Sequence, residues 1–410
     1  MRRTVLAVVV AFAYVAAGDD LRRAQELSWA RQFVEAEALY RRILAAEPGS
    51  GEARLGLARV VMWRGRYDQA IALFAKLDGI EAIEGRATAQ YWSGDLRAAA
   101  RGFRRVLELD GNREFARQSL AGIVSTAMPS QRITVAGSTD DQPLDAIRGE
   151  LAATFFSDVQ TRWTVSIGHY AVDAQRRASG QSVRVANETT VRALTLAGSL
   201  GIFTFPDGVR GPVGSASVRR RSLTLRIERR PELASAPSLT THAASTTTTL
   251  RWDRERNWIA SAELSHRRYS DDNRGHAIAA YVLVPARRND WTFWSGASLA
   301  WRDTDESRFN LDGRYDPYWT PDDLREARAV LAVERKRGRG SVKLYGDGGL
   351  ARDRGRALDI PFDRHYNPWR AGISAEIGLT HGLRLEAQID RAATVDYRVT
   401  SYHAALVRRR

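Results

Sequence analysis

Between Trp369 and Leu379 every second side chain is apolar. Trp369, Ala371, Ile373, Ala375, Ile377 and Leu379 alternate with Arg370, Gly372, Ser374, Glu376 and Gly378. A repeat of two is the repeat of an extended strand, so this run has one apolar and one polar face. After a turn at His381 and Gly382 the pattern restarts, with Leu383, Leu385, Ala387 and Ile389 between Arg384, Glu386, Gln388 and Asp390. Upstream, Trp291, Phe293, Ala297, Leu299 and Trp301 share a face with tryptophan at both ends, opposite Thr292, Gly296, Ser298 and Arg302. Some ten residues at ~3.3 Å each, tilted by ~40°, rise about 25 Å, the height of an outer-membrane apolar band. A soluble sandwich also alternates. Strand length and the paired tryptophans favour a membrane-spanning barrel, with Trp291, Trp301 and Trp369 in its interfacial girdles.

The connections agree. Working back from the C-terminus, short turns near His381, Gly338, Asn289 and Glu255 alternate with longer or polar stretches at 353–366, 303–323, 269–275 and 231–240. Bacterial barrels have an even number of antiparallel strands, short periplasmic turns and long outer loops. If 183–203 and 215–230 are each one long strand, the count is about fourteen, within a range of about twelve to sixteen. Both ends of the barrel then fall on the periplasmic side. A concealed hairpin in 183–230 would raise the count.

The first 127 residues are of another kind. Met1, Arg2 and Arg3 precede an apolar run from Thr4 to Val15 and the small residues Ala16, Ala17 and Gly18, the order expected of a cleaved signal peptide over 1–17. From residue 21 apolar side chains recur at helical spacing, and one pattern occurs three times. Its copies are Trp29, Phe33, Ala36, Tyr40 and Pro48; then Trp63, Tyr67, Ala70 and Phe74; then Trp92, Leu96, Ala99 and Phe103. The step from Trp29 to Trp63 is 34 residues, the tetratricopeptide period, and that from Trp63 to Trp92 is 29, placing a deletion near Asp78 and Gly79. Ala24, Ala58 and Ala87 stand where paired helices cross, and 112–126 reads as a capping helix. The tryptophan ladder reads as packing between helices, with a place on a binding surface as the alternative. The expected organisation is α + β and multidomain. A signal peptide (1–17) is followed by a tetratricopeptide solenoid (18–127), then an antiparallel transmembrane barrel (131–410).

Aromatic-rich helical repeats followed by a barrel resemble the YaiO-type outer-membrane proteins. More distantly, the layout is similar to the tetratricopeptide-plus-barrel porins that export polysaccharides. Tyr315, Asp316, Pro317, Tyr318, Trp319, Thr320 and Pro321 resemble the aromatic Tyr-x-Pro segment before a late strand of those barrels. The chain departs from them at Leu96, where an aromatic is usual, and in ending Leu406, Val407, Arg408, Arg409, Arg410. The resemblance implies a non-enzymatic protein that helps a polymer, a polysaccharide, cross the outer membrane. A closed scaffold or receptor-like barrel is the rival reading, and a barrel enzyme acting on lipid or glycan a distant third.

Nothing in the residues contradicts a non-enzymatic reading. The seven histidines are dispersed with no metal-ligand spacing, and Ser265 and His266 are strand neighbours that point to opposite faces. No cysteine is present to supply a thiolate site. The net charge of +14 is scattered arginine without a nucleic-acid motif. The informative charges are on the polar strand faces: Arg226, Glu228, Glu263, Glu334, Arg370, Glu376, Arg384, Glu386 and Asp390 are candidates to line a lumen, as a filled, ion-paired interior or as a polar conduit. No cofactor is expected. The expected partners are outer-membrane lipids, the barrel-assembly machinery, a periplasmic protein on the solenoid, and polysaccharide.

Overall fold

The computed structural model describes residues 19–141, 144–174, 176–233, 236–306, 318, 320–357, 360–394 and 397–409. The expected signal peptide lies outside them, as do Tyr315, Asp316, Pro317 and Trp319. The chain divides into two compact units, one of residues up to 127 together with 158–160 and 191–193, the other of the remaining residues from 128 on.

The first unit is helical. After α1 (residues 19–29) come α2 (Phe33–Ala46), α3 (Gly51–Trp63), α4 (Tyr67–Phe74), α5 (Ile80–Ser93), α6 (Leu96–Leu109) and α7 (Glu114–Thr126). These are three helix pairs and a closing helix. Ala24, Ala58 and Ala87, on the first helix of each pair, are fully buried, as are Ala36, Ala70 and Ala99 on the second. A methyl group at each crossing lets the helices approach, and larger side chains fill the space beside it: Leu39, Tyr40 and Ile43, then Phe74, then Phe103 and Val106. The short step between the second and third copies has a physical cause. Helix α4 has eight residues where α2 and α6 have fourteen, and Gly79 turns the chain at φ 95°. Ser50 and Asp95 cap α3 and α6 by accepting from the backbone N–H of Ala53 and Ala98.

The second unit is one antiparallel sheet. Its strands are β1 (Ser130–Asp140), β2 (Leu144–Asp158), β3 (Thr161–Ala174), β4 (Arg176–Val191), β5 (Leu194–Thr204), β6 (Arg210–Arg220), β7 (Leu223–Pro231), β8 (Ala244–Glu255), β9 (Ile259–Tyr269) and β10 (Arg274–Arg288). Then come β11 (Trp291–Thr304), β12 (Asp322–Arg337), β13 (Gly340–Ala357), β14 (Ile360–Tyr366), β15 (Trp369–Thr380), β16 (Leu383–Ala393) and β17 (Arg398–Arg409). β14 and β15 both pair with β13, end to end, and are two halves of one strand interrupted at Asn367 and Pro368. Proline has no N–H for the ladder, so the break falls there. Seventeen segments thus make sixteen strands. β1 pairs with β17 over eleven residues, from Ser130↔Arg409 to Asp140↔Val399, and closes the barrel. Closure removes the unpaired sheet edge.

Sixteen strands fall within the expected range of about twelve to sixteen, two above the central count of fourteen. The stretches 183–203 and 215–230 each hold a hairpin, turning at residues 192–193 and 221–222. The left-handed turn positions are Arg192 (φ 55°) and Arg221 (φ 52°). That conformation is normally signalled by glycine or asparagine, as at Asn289, Gly338 and Gly382 in three of the turns the sequence did reveal. At 353–366, β13 and β14 run on as a hairpin where a loop was expected.

Candidate functional site

Most of the large apolar side chains of the strands share one face and are exposed, among them Ile133, Leu151, Val183, Leu225, Leu264, Val282, Leu344, Ile373 and Ile389. They are in register across strands: Leu344 pairs with Ile373 and Ile373 with Ile389. A continuous exposed apolar belt is foreign to a soluble surface. Trp291 and Trp369 are exposed on this face, while Trp301 is half-buried and donates from Nε1 to Asp323 Oδ1 at 3.1 Å. Trp163 and Trp252, which the sequence reading did not single out, join Trp291 at the short-turn end.

The polar faces of the same strands carry charges that hold one another. The most shielded chain crosses four strands. Arg302 on β11 reaches Glu326 on β12 at 2.8 Å, and Glu326 takes Arg328 at 2.6 Å. Arg328 reaches Asp347 on β13 at 2.7 Å, which takes Arg370 on β15 at 3.0 Å. The carboxylate side chains of Glu326 and Asp347 are only 8% and 5% exposed. Opposite charges, here the guanidinium groups, offset the cost of shielding such side chains from water. A second chain links β15, β16 and β1: Arg384 bridges Glu376 (2.8 Å) and Glu386 (3.0 Å), and Glu386 also takes Arg132 at 2.8 Å. Between the two, Tyr345 on β13 donates to Asp390 on β16 at 3.1 Å, across the intervening β15. Gly372 makes that reach feasible, since a Cβ there would stand 2.5 Å from the Tyr345 hydroxyl.

Of the nine candidate polar residues, the structure therefore brings together Glu376, Arg384 and Glu386, and separately Arg226 and Glu228 at 2.9 Å. Arg370 pairs with Asp347 and Asp390 with Tyr345, Glu334 lies 3.4 Å from Lys336, and Glu263 is 4.0 Å from Arg251. Sequence reasoning missed Arg302, Glu326, Arg328 and Asp347 as a group. Their signal was the interruption of small residues by charges, as in Glu326, Ala327, Arg328, Ala329.

At the long-loop end the connection from β7 to β8 forms a short helix, α8 (Ala236–Thr240). Its Leu239 is fully buried in a cluster with Val172, Phe203, Phe205 and Val213, and the Tyr170 hydroxyl donates to the Leu233 carbonyl. Tyr170, Val172, Phe203 and Val213 belong to the face opposite the belt residues Ile167, Ile202 and Val218. Nearby, Tyr318 stacks on Tyr269 at 3.7 Å and donates to Asp271 at 2.7 Å. Burial and the Asp271 carboxylate hold the Tyr318 phenol far above its ordinary range.

The helical unit carries a different surface. Trp29, Trp63 and Trp92 are 76%, 39% and 42% exposed, and Trp63 and Trp92 also pack on aromatic rings of a neighbouring helix. Each stands at the end of a first helix, where the chain turns, while alanines occupy the crossings. Phe33 meets Trp63 at 5.6 Å and Tyr67 meets Trp92 at 6.4 Å, so aromatics of successive repeats make one strip. With Arg31 and Met62 they border an open groove of about 670 Å³. Beneath it Glu37 is buried and takes Arg41 (2.9 Å), Arg64 and Arg66. Burial raises its carboxyl pKa, but the hydrogen bonds from Arg64, Arg41 and Arg66 outweigh that and hold it below the usual range.

A tetratricopeptide-repeat family profile matches residues 30–82, spanning the second helix of the first copy and both helices of the next. The helical unit is a tetratricopeptide solenoid. It is similar to the first such domain of human RPAP3, at 20% identity over 27% of this chain and 90% of that one, TM-score 0.26. The barrel is similar to CdiB from Acinetobacter baumannii, at 12% identity over 68% of this chain and TM-score 0.43. It is also similar to OccK3 from Pseudomonas aeruginosa, at 10% identity over 73% of this chain and 99% of that one, TM-score 0.36. The chain covers 60% of the length of CdiB. At these values the likenesses concern fold and carry no argument about activity. No curated protein matches the sequence.

Proposed function

We propose that the chain is a non-enzymatic outer-membrane protein. Its barrel gives a polysaccharide a polar passage across the membrane, and its solenoid docks a periplasmic partner. The observation that carries the membrane reading is the division of faces. An apolar belt with tryptophan at both ends is turned to the surroundings, while the charges share the other face and pair there. Lipid solvates the first face, and a closed barrel satisfies every backbone group without water. The polar face, from Arg226 to Asp390, then lines the lumen, and sixteen strands enclose enough room for an aqueous channel. The first barrel strand begins, and the last ends, at the short-turn rim. In the usual orientation of bacterial barrels that rim is periplasmic, and so is the solenoid joined to it. The exposed aromatic strip over Glu37 is the docking surface. Assembly machinery and lipids are the partners of the barrel itself.

Planar-bilayer recording tests the passage. The expected result is ion conductance that falls when a neutral polysaccharide is added on the periplasmic side. The packing of Leu239 on α8 against Val172 and Phe203 favours a second reading, a scaffold with its lumen closed by this connection. Deleting 234–241 separates the two. A silent wild type that conducts after deletion has a gated passage, and silence in both supports the scaffold.

A further inference from the structure

Exposed arginines gather at the short-turn rim of this barrel. Arg220 on β6, Arg254 on β8, Arg288 on β10, Arg335 and Arg337 on β12, and Arg408 on β17 all stand at the short-turn end. Each is in step, at even spacing, with the exposed apolar residues of its own strand: Val218, Trp252, Val284, Leu331 and Leu406. They therefore belong to the belt face and lie just beyond its tryptophans. All six are exposed. Among the described residues none has a carboxylate partner, whereas Arg132, Arg328, Arg370 and Arg384 on the polar face each have one. At the opposite rim Arg177, Arg268, Arg325 and Arg352 are held by Asp173, Asp272, Asp323 and Asp363 at 2.5–2.8 Å, while the side chains of Arg210, Arg274 and Arg398 have no carboxylate partner among the described residues. At the short-turn rim two guanidinium groups lie instead on rings, Arg335 at 5.1 Å from Trp291 and Arg254 at 4.5 Å from Trp258. Stacking on a ring fixes the plane of a guanidinium and leaves its edge donors free for an oxygen fork such as phosphate.

We propose that this rim is a binding surface for anionic phospholipid head groups, a collar that seats the barrel in the leaflet at its short-turn end. The inference rests on the membrane reading above. A lipid occupant is favoured over a soluble acidic polymer for two reasons. The six arginines share the face of the apolar belt and not the polar face where a polymer would pass. They are also spread from β6 to β17 around the circumference, where many small head groups reach them and one strand of polymer does not. Unpaired arginine at a bilayer surface is attracted to anionic lipid and screened by salt.

The test uses the full chain in detergent, given equal amounts of phosphatidylglycerol and phosphatidylethanolamine, with bound lipid counted by native mass spectrometry. The expected result is retention of phosphatidylglycerol over phosphatidylethanolamine, weakening as salt is raised. Removing three unstacked charges (Arg220→Gln, Arg288→Gln and Arg337→Gln) should reduce the preference by roughly a hundredfold, about fivefold for each. Arg268→Gln with Arg352→Gln, at the other rim, should leave it unchanged. Equal retention of the two lipids by the wild type, or an unchanged preference in the triple variant, overturns the proposal. So does binding of dextran sulfate that the triple variant loses while lipid preference is absent, which assigns the collar to a soluble polyanion. If the triple variant does not fold, the salt dependence of the wild type decides. Folding is read separately, as faster gel migration before heating after refolding in phosphatidylethanolamine vesicles. Absence of that shift removes the membrane reading and the collar together, whereas a shift without lipid preference removes the collar alone.

Discussion

Glu37 is the one carboxylate of the solenoid that three arginines hold, and each comes from a turn or helix that has to be in place. Arg41 is one helical turn along α2, while Arg64 and Arg66 stand on the link between α3 and α4. Because its pKa is held down in the folded state, this pair stabilises the solenoid above the ordinary carboxyl range and stops doing so as pH falls through the lowered value. Glu37→Gln should cost about 1.5–3 kcal/mol, the range for hydrogen bonds to a charged group, and flatten the acid limb of a thermal-melt series. An unchanged acid limb would mean the three arginines are solvated spectators. At Gly372 the constraint is steric. Gly372→Val places carbon against the Tyr345 hydroxyl and the Asp390 side chain, and should lower the yield of assembled barrel by about 1–3 kcal/mol of overpacking. Neither residue was legible in the sequence. Glu37 is one acid among many on amphipathic helices, and Gly372 is one of several glycines on polar strand faces. The alanines at the crossings were legible, because a fixed period repeats them.

Strand β15 was readable because nothing interrupts its alternation, and it offers the cleanest contrast between faces. Ile373 stands midway between Trp369 and Leu379 on the exposed face, paired with Leu344 and Ile389. Ile373→Arg should cost on the order of 2–4 kcal/mol, the penalty for arginine near a bilayer midplane, and impair assembly in vesicles. Glu376→Gln should leave assembly intact, since Arg384 retains Glu386 at 3.0 Å, and should change at most conductance. Tolerance of the first with failure of the second would reverse the faces. The strands from β4 to β7 were not readable to the same degree. Serine, threonine and glycine blur their alternation, and arginine occupies the turn positions that glycine or asparagine would have marked. Each of the stretches 183–203 and 215–230 divides into two strands, which adds two and keeps the count even, so parity alone did not reveal the extra turns. Period two alone assigns each charged candidate to a strand face. Which of them meet depended on the stagger between strands, which no single sequence records.

For the whole molecule the decisive property is that each unit closes on itself. The solenoid ends in α7, whose Ala116 and Ile123 complete the cluster around Phe103 and Val106. Three repeats are near the lower limit for a stable array, so this terminal packing matters. Residues 18–127 alone should give a helical circular-dichroism spectrum and a cooperative melt, and a random-coil spectrum would make the unit dependent on the rest of the chain. The barrel is closed by β1 on β17, a pairing that involves no residue before Ser130. A chain of residues 128–410 should therefore still refold into vesicles and migrate faster before heating than after. The physical basis is that every strand of a closed barrel has two neighbours, so its hydrogen bonds survive detergent until heat opens the ring. If the truncated chain refolds and conducts as the full chain does, the passage belongs to the barrel and the solenoid supplies only docking. If it refolds but conducts differently, the solenoid takes part in gating. If it does not refold while the full chain does, the eleven-residue seam between β1 and β17 is insufficient alone, and the helical unit is an assembly element for the barrel.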